Sequence, residues 1–139
     1  MTGHCLCGAV RVAIDAAPEF INDCNCSLCR KAGGAWGYFA SASVSAIGDT
    51  VTFVRRDKKA PGVEVHSCKT CGTTTHWMLT KSFKEQNPSA DQVGVNMRLF
   101  DPDDLKGVEV RFPDGKAWDG EGSFGYRRPA LKISDDAPW

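Results

Sequence analysis

Seven cysteines fall into three clusters: Cys5-Leu6-Cys7, Cys24-Asn25-Cys26-Ser27-Leu28-Cys29 and Cys68-Lys69-Thr70-Cys71. Sulfurs this close in sequence gather around a metal ion more readily than they form disulfides, especially in a reducing compartment. Cys68-x-x-Cys71-Gly72 has the composition of a zinc knuckle, in which two thiolates reach one ion at about 2.3 Å and the glycine turns the chain back. A knuckle supplies two ligands and needs two more. Cys5-x-Cys7-Gly8 is the natural donor, since it too ends in glycine and runs straight into a strand-like segment. Together Cys5, Cys7, Cys68 and Cys71 form a closed four-thiolate site with a structural role.

Cys24, Cys26 and Cys29 offer three thiolates within one short segment. Zinc takes four donors, so the fourth is water, substrate or a remote side chain, with His4, His66, His76 and Asp23 as the side-chain options. Three protein ligands plus an open position is the arrangement of catalytic zinc, and a thiolate-rich ion is soft enough to accept a further sulfur. This reading makes Cys24, Cys26 and Cys29 the catalytic residues and a small thiol the substrate. A third alternative, a metal-free redox trio, requires a strained disulfide between closely spaced sulfurs. Arg30 and Lys31 follow Cys29 directly, as offsets for a thiolate-rich ion or as anchors for ligand carboxylates. Gly33, Gly34 and the aromatics Trp36, Tyr38 and Phe39 either wall a pocket beside the metal or belong to the core. His66 and His76 are candidates for moving a proton by residue type alone.

The elements that must position these groups are mostly strands. Short β-branched and aromatic segments occur at residues 9–14, 36–44, 50–55, 63–67, 73–79 and 93–99. Val10, Val12 and Ile14 alternate with Arg11 and Ala13, and the runs at 51–54 and 63–66 alternate similarly, which predicts one buried face each. Helical patterning is confined to one turn over residues 27–32, ended by Gly33-Gly34, and another over residues 102–105 with Asp101 as N-cap. From Pro113 onward Gly, Pro and charge increase. Trp118 is expected to pack on the core, and residues from about 128 to 139 to form a loose tail. The expectation is one mainly β zinc-binding domain over residues 1–139.

With 139 residues, 42% hydrophobic and 24% charged, the composition favours neither disorder nor a membrane class. Seventeen basic residues balance seventeen acidic ones and no basic stripe emerges, so no nucleic-acid partner is expected. No apolar run is long enough to span a bilayer, so no membrane partner is expected either. Residues 1–5 show no basic region followed by an apolar run, so the cytoplasm is the expected location.

Three blocks carry a family resemblance: Gly3-His4-Cys5-Leu6-Cys7-Gly8-Ala9-Val10-Arg11, Cys24-Asn25-Cys26-Ser27-Leu28-Cys29-Arg30-Lys31 and Cys68-Lys69-Thr70-Cys71-Gly72-Thr73. In this order and spacing the chain resembles the glutathione-dependent formaldehyde-activating enzyme family, which includes centromere protein V. The likeness covers residues 3–80 well and the remainder loosely. It implies a zinc-anchored β-tent of short antiparallel sheets. It also implies a structural zinc on Cys5, Cys7, Cys68 and Cys71, and a labile or catalytic zinc on Cys24, Cys26 and Cys29. The implied activity is that of a carbon–sulfur lyase joining glutathione and formaldehyde as S-(hydroxymethyl)glutathione. The alternative is a non-catalytic zinc module that carries a thiol or binds a protein. Two departures stand out: Asn25 occupies a position where the family commonly has histidine, and residues 108–112 lack a histidine often found near the end.

Overall fold

The computed structural model describes residues 1–139 and is mainly β, with two sheets. The smaller sheet has three antiparallel strands in the order β1 (Thr2–His4), β2 (Arg11–Ile14) and β5 (Val44–Ile47). The larger has eight strands. Its order is β11 (Leu131–Lys132), β10 (Glu109–Arg111), β3 (Phe20–Asn22), β4 (Trp36–Phe39), β9 (Val93–Asn96), β8 (Thr74–Leu79), β7 (Val63–Cys68) and β6 (Thr50–Val54). All pairs are antiparallel except β3 with β10, which corrects the all-antiparallel expectation. That pair joins segments nearly ninety residues apart, so no hairpin imposes its direction.

The alternation in β2 is realised: Val12 and Ile14 are buried and Arg11 is exposed. Val12 and Ile14 enter the main core with Ile21, Val95, Met97, Leu105, Val110, Phe112 and Ile133. The alternation expected over residues 51–54 is not realised. Val51 and Phe53 are 52% and 55% exposed, because β6 is the last strand of its sheet and no second layer covers it. The long segment 36–44 is broken at Ala40 by a 3₁₀ turn over Ser41–Ser43, where the Ser41 amide donates to Asp91 instead of to a strand. Trp118 stacks on Phe124 and is 40% exposed, away from the core. The segment from 128 onward, expected to be loose, contains β11, a buried Ile133 and Trp139 packed on the main core.

Two short helices complete the fold. The first, α1 (Ser27–Ala32), has the bounds read from the sequence; Cys26 is its N-cap and Gly33, at φ 68°, its C-cap. The second, α2 (Lys81–Gln86), starts where the Thr80 hydroxyl accepts from the Phe83 amide. Asp101 caps the 3₁₀ turn Pro102–Leu105 as expected. No helix is long and apolar enough to cross a membrane.

Candidate metal centres

The connection from β1 to β2 carries Cys5 and Cys7, while Cys68 ends β7 and Cys71 lies in the turn to β8. The two knuckles therefore come from different sheets and meet where the sheets adjoin. Gly8 and Gly72 take φ near 75°, the left-handed geometry each knuckle needs to reverse. The four Sγ atoms lie within 4.8 Å of one another. The Cys5–Cys7 separation is 3.6 Å and Cys7–Cys68 is 3.8 Å, matching the edge of about 3.8 Å of a tetrahedron with 2.3 Å metal–sulfur bonds. Backbone amides point at the sulfurs: Val10 donates to Cys5 Sγ at 3.2 Å and Thr70 to Cys68 Sγ at 3.4 Å. The Thr73 hydroxyl lies 3.2 Å from Cys71 Sγ, and this contact with the local amides holds the Cys71 thiol down at about 5. Cys5, Val10 and Cys68 form a small buried cluster against which Cys71 packs, while Cys7 lies at the surface. This donor set fits a closed tetrahedral ion.

The second group is built on α1. Cys26 accepts from the Cys29 amide as N-cap, and one helical turn brings Cys29 Sγ to 3.3 Å from Cys26 Sγ. Cys24 precedes the helix, and its sulfur accepts from the Cys26 amide at 3.4 Å. All three sulfurs lie within 4.8 Å of one another, and no histidine or carboxylate joins them. Protons are unevenly shared among them. The sulfur contacts with Cys24 and Cys29 pull Cys26 down to about 2, whereas Cys29 is pushed up by Cys24 and Cys26. An anionic sulfur is thus already favoured, as a soft metal ion requires. None of the seven cysteines is paired in a disulfide.

The side chains considered as a fourth ligand are elsewhere. His4 is exposed on β1. His66 and His76 stack on each other at 4.3 Å, facing a cavity whose lining contains none of the trio. His66 Nδ1 meets the Thr50 hydroxyl at 3.1 Å, and Glu64 lies 3.3 Å from Nε2 without hydrogen-bonding alignment. Burial holds His76 down at about 4, with His66 adding to the effect. Asp23 is taken by two arginines, Arg98 Nη2 at 2.9 Å and Arg127 Nη2 at 3.2 Å.

Of the three aromatics read as pocket wall or core, Trp36 and Tyr38 stand beside the trio. The Trp36 indole N–H donates to Cys29 Sγ at 3.2 Å, while its ring packs with Val65 and Trp77 beneath the helix. Tyr38 lies close enough to the three thiols to feel their charge; burial first, and they second, push its hydroxyl up to about 12. Phe39 instead packs on the main core. Asn25 fastens the segment following β10: its amide donates to Asp114 Oδ1 at 2.7 Å and its carbonyl accepts from the Lys116 amide at 2.9 Å. Between those two bonds lies Gly115, where a Cβ would stand 2.5 Å from Cys24 Sγ. Only glycine lets this strap lie against the sulfur.

A model of the family described as glutathione-dependent formaldehyde-activating enzyme matches residues 1–111, which include all seven cysteines. The chain belongs to this family. A family relative in Halomonas elongata, provisionally named a glutathione-dependent formaldehyde-activating enzyme, is 30% identical over 99 residues. That alignment covers 61% of this chain and 59% of the relative, so the chain spans well under two thirds of that protein's length. A crystal structure of a Rhodobacter sphaeroides protein superposes with a TM-score of 0.57 at 24% identity, covering 78% of this chain and 97% of the other, a likeness of fold. The strap that Asn25 holds over the trio lies beyond the residues the family model matches.

Proposed function

We propose that this protein is a zinc-dependent enzyme of the carbon–sulfur lyase type that makes or breaks a thiol–aldehyde adduct such as S-(hydroxymethyl)glutathione. One observation carries the reading: four sulfurs converge at one cluster and three at the other, with no further protein donor at the second. Family membership supports glutathione and formaldehyde as the reacting pair. Cys5, Cys7, Cys68 and Cys71 hold a structural zinc, and Cys24, Cys26 and Cys29 hold the working one. A zinc ion at the trio supplies a Lewis acid that lowers the pKa of an incoming thiol.

The chain's own residues do the rest. Cys24, Cys26 and Cys29 fix the position at which the substrate sulfur arrives. Trp36 orients Cys29, as outer partners of metal ligands do. Gly115 keeps the strap from projecting a side chain onto Cys24. In the forward direction the thiol loses its proton, its sulfur bonds to the aldehyde carbon, and the carbonyl oxygen takes up a proton to become the hydroxyl. The reverse direction breaks the same carbon–sulfur bond. His66 and His76 face another cavity, so neither is given a part in this step. Seven cysteines without a disulfide suit a reducing compartment, and we place the protein in the cytoplasm as one zinc-binding domain.

Cys26→Ser tests the proposal. Serine is itself a strong N-cap, so α1 keeps its start while the trio loses a sulfur. The expected variant is folded, retains one zinc per chain, and no longer accelerates adduct formation above the uncatalysed rate. Acceleration equal to wild type would contradict the proposal. Stoichiometric uptake of thiol by wild type without turnover would mark a carrier instead.

A further inference from the structure

Beside the trio lies a cavity of about 290 Å³ whose lining includes Cys24, Cys29, Asp23, Arg30, Arg98 and Arg127. Its size is at the low end for a small-molecule site, enough for a thiol-bearing group and one carboxylate. Three guanidinium groups here face a single carboxylate. Asp23 uses one oxygen for Arg98 and the other for Arg127, so each arginine keeps further N–H donors for a ligand. Arg30 is exposed and has no ion-pair partner. Three thiolates around a divalent ion leave one net negative charge, which neutralises only part of the surplus. The cavity is therefore cationic at the place where a substrate thiol would enter.

We infer that this cavity is a carboxylate subsite: Arg30, with Arg98 and Arg127 held apart by Asp23, selects thiols that carry a carboxylate within reach of the sulfur. The inference rests on the thiol-binding reading of the trio and adds the choice of thiol. Arginine suits the role because its planar fork pairs with a carboxylate through two parallel hydrogen bonds. Asp23 and Arg30 flank the trio in sequence, and the fold brings Arg98 and Arg127 to them. Arg127 comes from beyond the family-matched residues. Lys31, next to Arg30 in sequence, lines a separate cavity with Arg55 on the other side of α1 and is not part of the subsite.

Calorimetric titration of the zinc-loaded protein with glutathione and with glutathione diethyl ester tests this directly. The ester keeps the thiol and loses both carboxylates. Arg30→Gln is the informative variant, since its side chain is exposed and unpaired and its removal leaves the fold intact, checked by circular dichroism. Wild type is expected to bind the acid at least about tenfold more tightly than the ester, with an affinity that falls as salt rises. Arg30→Gln is expected to weaken the acid by about tenfold and leave the ester unchanged. Equal affinity of wild type for acid and ester, no binding of either, or an unchanged affinity of Arg30→Gln for the acid would each overturn the inference. Failure of the lyase reading looks different: arginine-dependent binding of glutathione with no acceleration of adduct formation. Equal acceleration with glutathione and its ester would uphold the lyase reading and remove the subsite.

Discussion

The two cysteine clusters are assembled from opposite kinds of sequence. In the four-sulfur cluster Cys7 and Cys68, 61 positions apart, sit 3.8 Å from each other, so filling it with metal ties two sheets together. In the three-sulfur cluster every ligand comes from one segment ending in the first turn of α1, so a metal there closes almost no chain. By analogy with a disulfide, the first closure is worth roughly 4 kcal/mol in loop entropy, and the second much less. Burial does not separate them so cleanly: in the four-sulfur cluster Cys5 and Cys68 are buried, Cys71 is half-buried and Cys7 is exposed, whereas all three sulfurs of the trio are half-buried beside a cavity. A metal site that holds the fold together is costly to disturb, while one built on local sequence can lose and regain a ligand without unfolding the protein.

The contrast is broken most severely from the structural side. Cys68→Ser is expected to abolish cooperative folding, because structural zinc contributes on the order of 10 kcal/mol, as much as a typical domain's net stability. Thermal melts should show no transition for this variant and a normal one for Cys26→Ser. A folded Cys68→Ser protein would equalise the two sites. On the other side, Trp36→Phe removes the N–H donor to Cys29 while keeping a buried ring. Metal affinity at the trio should fall by about 10–100-fold, read by competition with a chromophoric chelator, with the four-sulfur site unaffected.

Asn25→Ala is the next smaller change. It releases both hydrogen bonds to the strap, and Gly115 no longer has to rest against Cys24. Proteolysis should then cut within residues 114–126 at least about tenfold faster, since two lost bonds correspond to roughly 1–3 kcal/mol of local stability. Unchanged cleavage would show the strap is held by other contacts.

The smallest effect concerns the histidine pair, which belongs to neither cluster. His76 titrates at about 4 in the folded protein against about 6.5 unfolded, so between those values the unfolded chain binds more protons. Stability therefore falls as pH drops from 6.5 toward 4, by about 1–2 kcal/mol between pH 7 and 5. Denaturant melts of wild type and His76→Asn at both pH values should show this loss shrinking in the variant. An equal loss in both would assign acid sensitivity to other groups.

The convergence of the cysteines into one group of four and one of three was legible in the sequence because they are marked by type and short spacing, and α1 because Cys26 caps it and Gly33-Gly34 ends it. The strands β2, β7 and β8 were legible through their β-branched composition. The strands β1, β3, β10 and β11 were not, since two to four residues such as Phe20–Asn22 show no period and are fixed only by their partners. The helix α2 was missed although Thr80 marks its start, because six residues give too little apolar pattern. At the site, Trp36 and Tyr38 were legible as either pocket wall or core, and Trp36 serves as both. Arg98, Arg127 and Gly115 meet the trio from remote positions that no spacing rule connects, and Asp23, read as a possible fourth ligand, instead pairs with Arg98 and Arg127. Asn25 looked like a missing histidine and proved to be the anchor of the strap.

Metal content measured by native mass spectrometry during graded chelation is the most direct test of unequal ligation. The expected result is two zinc ions per chain, one removed by mild chelator, and sooner with glutathione present, while the circular dichroism spectrum and melting transition persist. Departure of both ions together with loss of the fold, or retention of both until the protein unfolds, would contradict the division between a caged ion and an exchangeable one.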